Sequence, residues 1–259
     1  MSPWVLRGLR DGVVTTRWPA RPDPYAGSWS GPATVTDPQP SEAASLASLC
    51  PTGAISSSAD GRVRLDQGRC ILCGRCVARR PDVFSWSQGT GGAALARQAL
   101  IVPEETAQGL AATRAALHER TRALRRSVHL RHVDAGSDGA EEQEIQALLN
   151  SVYDIHWLGI FFTASLWHAD VLLVTGAGAH GMAEPLRRTY DGMPEPKVVI
   201  AVGTDACSGG LLAGSYAASG GIGGTVGVDV WLPGSPPPPF SILSALLVAL
   251  GRLPDGGKR

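Results

Sequence analysis

From about residue 127 onward, short apolar runs alternate with stretches of helical periodicity. Val128 to Val133, Val171 to Thr175, Val198 to Val202 and Val226 to Leu232 read as strands, and Glu141 to Asn150, Met182 to Met193 and Phe240 to Leu250 read as helices. Strand and helix in alternation predict a parallel sheet with helices on both faces. Ligands of such sheets gather beyond the carboxyl ends of the strands. Three segments end there in loops suited to chemistry: Asp134-Ala-Gly-Ser-Asp138, Gly203-Thr-Asp-Ala-Cys207 with Gly209-Gly210, and Pro233-Gly-Ser-Pro236.

The preceding stretch has a different pattern. From Pro103 to Arg126, Leu110, Ala111, Leu117 and Leu124 recur among Arg114, Arg120, Arg122, Arg125 and Arg126, which predicts a linking helix. Its arginines suit either a solvated face or docking on an acidic partner subunit. Before it, Gln88 to Ala96, with Gly89, Gly91 and Gly92, reads as a hairpin or loop closing a first domain. The 259 residues allow one large domain or two modest ones.

Composition narrows the function classes. Charged residues are 18% of the chain, against about 25% in an average globular protein, and glycine is abundant at 32 residues, so a folded, loop-rich protein is expected. The formal net charge is +0, which removes the main electrostatic term for binding a phosphate backbone, and no nucleic-acid partner is expected. The apolar run Ile242 to Leu250, interrupted by Ser244, is far shorter than the ~20 residues of a membrane-spanning helix. Met1-Ser-Pro-Trp-Val-Leu-Arg7 lacks a charged start leading into an apolar core, so the expected compartment is the cytoplasm.

Of the five cysteines, Cys50, Cys70, Cys73 and Cys76 crowd into one stretch and Cys207 stands apart. An odd count without a secretory signal argues against a disulfide framework. Cys70-Ile-Leu-Cys73-Gly-Arg-Cys76 is C-x2-C-x2-C, a tight loop able to offer three thiolates to one iron-sulfur cube, and the remote Cys50-Pro51 supplies a fourth. Where such runs occur in pairs, the last cysteine of each serves the other cluster. Against that pattern, Pro40, Ala43, Leu46 and Arg80 occupy the remaining ligand positions, so one cluster has lost its cysteines and the other keeps all four. A four-cysteine zinc site and a vestigial loop are the alternatives, although zinc usually takes two separated C-x2-C knuckles. The histidines His129, His132, His156, His168 and His180 form no ligand motif, and Gly209-Gly210 and Gly220-Gly221 suit tight turns.

The stretch from Asp134 through Glu141 to Asn150, followed by Ala169-Asp-Val-Leu-Leu-Val-Thr-Gly176, Glu184-Pro-Leu-Arg-Arg-Thr-Tyr190 and Met193-Pro-Glu-Pro-Lys197, resembles the small-subunit family of formate hydrogenlyase, nickel-iron hydrogenases and respiratory NADH-quinone oxidoreductase. The resemblance covers about residues 127 to 253. Gly12-Val-Val-Thr-Thr-Arg-Trp-Pro19, Cys50-Pro-Thr-Gly-Ala-Ile55 and the Cys70 run are similar to the ferredoxin-like subunit of the same systems. The chain thus resembles a fusion. The implied fold class is α/β, with an N-terminal ferredoxin-like (α+β) domain followed by a flavodoxin-like parallel-sheet domain. The corresponding division is a ferredoxin-like domain over 1–105, a helical linker over 106–126 and a small-subunit-like domain over 127–259.

The resemblance also implies a proximal four-iron cluster on four further cysteines, at positions that here hold Asp138, Glu141, Asp205 and Ser235. Cys207, two residues from an expected ligand, cannot hold a cube alone. The carboxylates and hydroxyl suit a hard cation better than iron-sulfur, Asp138-x-x-Glu141 has the spacing of a capping box, and a proton-handling acidic site is a third reading. Crowded carboxylates would be relieved chiefly by water and by the helix N-terminus.

The implied function is that of an electron-transfer subunit with one 4Fe-4S cluster on Cys50, Cys70, Cys73 and Cys76 and no catalytic site of its own. Its partners would be the large subunit of a hydrogenase-like or complex I-like assembly and, indirectly, membrane subunits, at the inner face of the cell membrane. In the family, electrons pass through the proximal cluster toward the large subunit or a quinone. The alternative is therefore a structural or redox-sensing subunit that no longer passes electrons through its C-terminal domain.

Overall fold

Every residue of Val171–Thr175 and of Val198–Val202 is buried, as uninterrupted apolar runs must be when both faces of a parallel sheet are covered. The computed structural model describes residues 3–40, 43–58, 60–90, 92–103, 107–124 and 127–253. Gly91, Arg125, Arg126, the side chain of Ala43 and the expected boundaries at 105, 106, 126 and 259 lie outside the described residues.

In chain order the elements are α1 (Pro3–Asp11), β1 (Ser30–Val35), α2 (Ala43–Leu46), β2 (Ile55–Ser57), β3 (Val63–Asp66), α3 (Arg75–Arg79), β4 (Phe84–Gln88), β5 (Ile101–Val102), α4 (Ala107–Thr121), β6 (Val128–Asp134), α5 (Ala140–Ala147), β7 (Ile160–Phe162), β8 (Val171–Thr175), α6 (His180–Gly192), β9 (Val198–Val202), α7 (Gly203–Ser208), β10 (Val230–Leu232) and α8 (Pro239–Ala249).

The fold is mixed α/β. Five parallel strands form one sheet in the order β10-β9-β8-β6-β7, the flavodoxin-like order. The chain reverses direction across the sheet between β6 and β8, and the crevice for chemistry lies at the carboxyl ends beside that point. Alternate side chains feed two cores, as the period of two requires. Val171, Leu173, Val198, Ile200 and Val202 join α8 on one face, while Leu172, Val174, Val199 and Ala201 meet Leu186 of α6 on the other. Helix α8 is buried at every position and packs on β9, β10, α4 and α5.

Before α4 the strands pair into two small antiparallel sheets, β1-β4 and β2-β3-β5. Ala33, Leu46, Ile55, Val63, Leu65, Val83 and Phe84 make a third core, against which Cys50, Cys70 and Cys76 pack.

Three local expectations change. Strand β10 begins at Val230, not Val226, because Val226 closes a turn onto the Ile222 carbonyl (3.2 Å) and Asp229 turns its carboxylate to the Val199 N–H (2.9 Å). The segment after Gln88, expected only to close a first domain, runs to the free edge of the parallel sheet. There Ala94 exchanges hydrogen bonds of 2.9 and 2.8 Å with Trp231. That pairing covers an edge that would otherwise expose unpaired backbone groups. The predicted linking helix is seen over Ala107–Thr121, and its exposed Arg120 forms an ion pair with Asp229, so one of its arginines is engaged within the chain.

Candidate functional site

Cys70 follows a short turn that Asp66 organises: its carboxylate accepts the Gly68 N–H at 2.9 Å. Two positive-φ residues then bend the chain, Leu72 (φ 58°) and Gly74 (φ 72°). A leucine there carries real backbone strain. Gly74 also sits close to Trp86, whose ring would lie 3.2 Å from an added Cβ. Cys76 lies on α3, which starts immediately after Gly74. Cys50 comes from a separate turn. Thr52 donates to the Arg69 carbonyl (2.7 Å) and holds the two turns together, while the Cys50 Sγ accepts the Ala54 N–H at 3.3 Å.

The result is that all four sulfur-bearing side chains line one largely apolar cavity with Leu49, Ile55, Leu65 and Trp86. Burial pushes the Cys70 thiol upward. Hydrogen bonds from Ala33 and Leu72 oppose that shift, and Cys50 and Cys73 add to it. Cys76 is likewise raised by burial, with Cys70, Cys50 and Cys73 contributing, so the four sulfurs sense one another. Among the described residues, no three His, Cys, Asp or Glu side chains converge tightly enough to hold a single metal ion.

The second set of expected positions lies at the carboxyl ends of the parallel strands. Asp138, Glu141 and Asp205 come within electrostatic reach of one another. Glu141 is 2% exposed, and its Oε2 has no hydrogen-bond partner. Burial, opposed by a hydrogen bond from its own N–H and reinforced by Asp205, Asp138 and Glu142, raises it to about 7. Asp205 is raised by burial and then by Asp138.

The capping-box expectation fails in its details. The N-cap of α5 is Gly139 (φ 92°), and Asp138, one residue ahead, accepts from Ala140 N at 3.0 Å. Glu141 is turned beneath Gly203 (φ 92°), where an added Cβ would lie 2.5 Å from its Oε1. Helix N-terminal relief therefore reaches Asp138, while one oxygen of Glu141 goes without.

Ser235 is half-buried in the loop after β10. Cys207 is buried, its thiol raised to about 12 by burial against the opposing Arg97 charge and a hydrogen bond from the Leu232 backbone, and its carbonyl accepts from Arg97 Nε at 3.0 Å. Gly209 and Gly220 pack against each other, with 2.8 Å between an added Cβ on one and the Cα of the other. His129 and His156 lie against Phe161.

Three residues not singled out by motif reading join these sites. Thr204 Oγ1 donates to the Cys70 carbonyl at 2.8 Å and accepts the Gly234 N–H at 3.3 Å, while its own N–H donates to the Gly234 carbonyl at 2.7 Å. Asp66 receives both guanidinium nitrogens of Arg97, at 2.8 and 2.7 Å. The cysteine turn is thereby fastened to α7 and to the loop after β10. Thr204→Val leaves the Cys70 carbonyl and Gly234 N–H short of a partner and is expected to cost about 1 to 2 kcal/mol in chemical denaturation. A second network, His132 with Thr175 Oγ1 (3.0 Å) and Glu142 with Ser137 Oγ (2.8 Å), closes the end of β6, and burial lowers His132.

Residues 138–249 match the family described as NADH ubiquinone oxidoreductase, 20 Kd subunit. An uncharacterized protein of Methanocaldococcus jannaschii is 40% identical over 123 residues, 48% of this chain and 82% of that protein. The chain belongs to the 20 Kd subunit family. Formate hydrogenlyase subunit 7 of Escherichia coli is 36% identical over 152 residues, covering 59% of this chain and 58% of the relative. The NADH-quinone oxidoreductase B subunit of Desulfovibrio desulfuricans is 43% identical over 104 residues, covering 40% and 56%. The chain thus spans little more than half the length of these two family members. Among the described residues, no helix is long and apolar enough to cross a membrane.

Proposed function

We propose that this chain carries one 4Fe-4S cluster on Cys50, Cys70, Cys73 and Cys76 and acts as an electron-transfer subunit of a membrane-associated, hydrogenase-like or complex I-like oxidoreductase. The observation that carries this reading is the apolar cavity lined by four thiols from two separate turns. The donor set fits: soft sulfur ligands, a water-poor lining, and a backbone N–H aimed at the Cys50 Sγ. A single tetrahedral ion needs its donors converging on one point, whereas a cube takes one sulfur at each corner. The bound cluster would supply one-electron storage. The protein's part is to exclude water with Leu49, Ile55 and Trp86 and to fix the Cys70 turn through Thr204 and the Asp66–Arg97 pair.

Within the same proposal, residues 1–105 are a ferredoxin-like unit fused through 106–126 to the family domain over 127–259, with the proximal cysteines replaced. The partner is a large subunit, and the placement is peripheral, on the inner face of the cell membrane. Relatives named as subunits of formate hydrogenlyase and NADH-quinone oxidoreductase support an assembly of this class.

A second reading, a structural or redox-sensing subunit, draws support from Asp138, Glu141 and Asp205 standing at the strand ends where the resemblance implies thiolates. Anaerobic purification tests the cluster: close to four iron and four sulfide per chain are expected, and zinc without visible charge-transfer absorbance overturns it. Mass spectrometry of co-purifying subunits separates the two readings. A large partner with intact nickel-ligating cysteines favours electron transfer, and one without them favours the second.

A further inference from the structure

Glu141 is an unusual place for a carboxyl group. Its side chain is almost wholly withdrawn from solvent, with Oε2 unpartnered. The groups facing it are all acids. Asp138 stands in the turn before α5, Glu142 is on its own helix, and Asp205 lies on α7. The Cys207 thiol, also on α7, senses it too. Among the described residues the nearest cation is Arg97, which sits at Cys207 and is paired with Asp66, so the ionised form of Glu141 is poorly solvated and has no ion-pair partner of its own. Its Oε1 lies against Gly203, and the next residue, Thr204, donates to the Cys70 carbonyl at 2.8 Å. One short backbone link therefore separates the buried acid from the cysteine turn.

Resting on the cluster reading above, we infer that Glu141 is a proton-exchange site coupled to the electron held at the cysteine turn. It takes one proton from solvent when that site gains one electron, and returns the proton when the electron leaves. The electron comes from a one-electron donor, and the proton converts the Glu141 carboxylate to the neutral acid, so charge balances with no bond made or broken elsewhere. Half-buried Asp205 and exposed Asp138 give the proton its way in.

The physical basis is electrostatic. A negative charge added nearby disfavours a second one on an unsolvated carboxylate. Burial and the acids beside it already raise Glu141 to about 7. With the electron present its affinity for a proton is higher, and by linkage the protonated acid makes reduction easier.

The test is a mediated redox titration of the full, cluster-loaded chain followed by its paramagnetic signal between about pH 5.5 and pH 9. The expected midpoint potential is flat on the acid side and falls as pH rises above about 7. The slope cannot exceed the about 59 mV that a tenfold change in proton concentration represents for one electron. In Glu141→Gln the slope vanishes while the paramagnetic signal persists. In Asp205→Asn, with one neighbouring charge removed, the fall begins at lower pH. An infrared difference spectrum of the wild type at alkaline pH gains a carboxylic-acid carbonyl band on reduction.

A pH-independent potential in the wild type, or an undiminished slope in Glu141→Gln, overturns the inference. Should that variant not fold, the wild-type slope and the Asp205→Asn onset decide the matter. Failure of the wild type to load any cluster is a different result, which removes the underlying functional reading.

Discussion

Cys50→Ser is expected to abolish, or nearly abolish, the iron-sulfur absorbance and paramagnetic signal of the anaerobically purified protein. Cys50 is the one ligand of the proposed set that arrives from outside the Cys70 to Cys76 turn, held there by the Thr52 bond to the Arg69 carbonyl. Serine keeps the size of the side chain and replaces a soft donor with a hard hydroxyl, a poor match for iron-sulfur. No other set of thiols can compensate, because Cys207 is alone, buried and raised to about 12. A four-iron signal at full strength in Cys50→Ser would mean that three cysteines suffice or that the strand-end acids hold a cluster, and the ligand assignment would be withdrawn.

The second large effect concerns stability and pH. Glu141 titrates near 7 in the folded protein against an ordinary 4.5. The folded state therefore binds this proton more tightly than the unfolded chain does. The stability that follows is fully present below about 4.5 and is lost as pH rises through about 7. Glutamine fills the same space without ionising. Relative to the wild type, Glu141→Gln should become more stable by roughly 2 to 3 kcal/mol between pH 4 and pH 8. Denaturant titrations of both proteins at the two pH values measure the difference directly, and other titrating groups cancel in the comparison. A stability gap that does not change with pH would show that Glu141 is solvated in the folded protein.

How far the sequence discloses these features depends on the kind of signal each one leaves. Strands β8 and β9 are legible residue for residue, since burial on both faces forces continuous apolar runs. Strand β7 is three residues long, Ile160–Phe162, and leaves no alternation to detect. The run from Val226 looks like strand by composition, yet Asp229 interrupts it and spends its carboxylate on a neighbouring strand and on Arg120.

At the cysteine site, the spacing announces the turn from Cys70 to Cys76. Nothing in it announces the long-range bonds that position the turn, because Thr204 lies 134 residues from Cys70 and Arg97 lies 31 from Asp66. The strand-end acids are legible by position, through the resemblance. Their environment is not: Gly139 takes the N-cap place that Asp138 was expected to fill, and the tight approach of Gly203 decides where the Glu141 side chain goes.

Helix α8 has a consequence for how the chain is made. Phe240 stands edge-on to Trp18 and Tyr153, with ring centroids 5.8 and 5.0 Å away, and Ala26 belongs to the same core. The socket for the most oily helix is therefore partly built by a stretch synthesised long before it. On the ribosome that stretch waits, its aromatic surface open, until residues far downstream have emerged. Nascent chains of this protein thus pass through a long interval in which holding chaperones have a natural target, and the interval ends only when α8 arrives to close it.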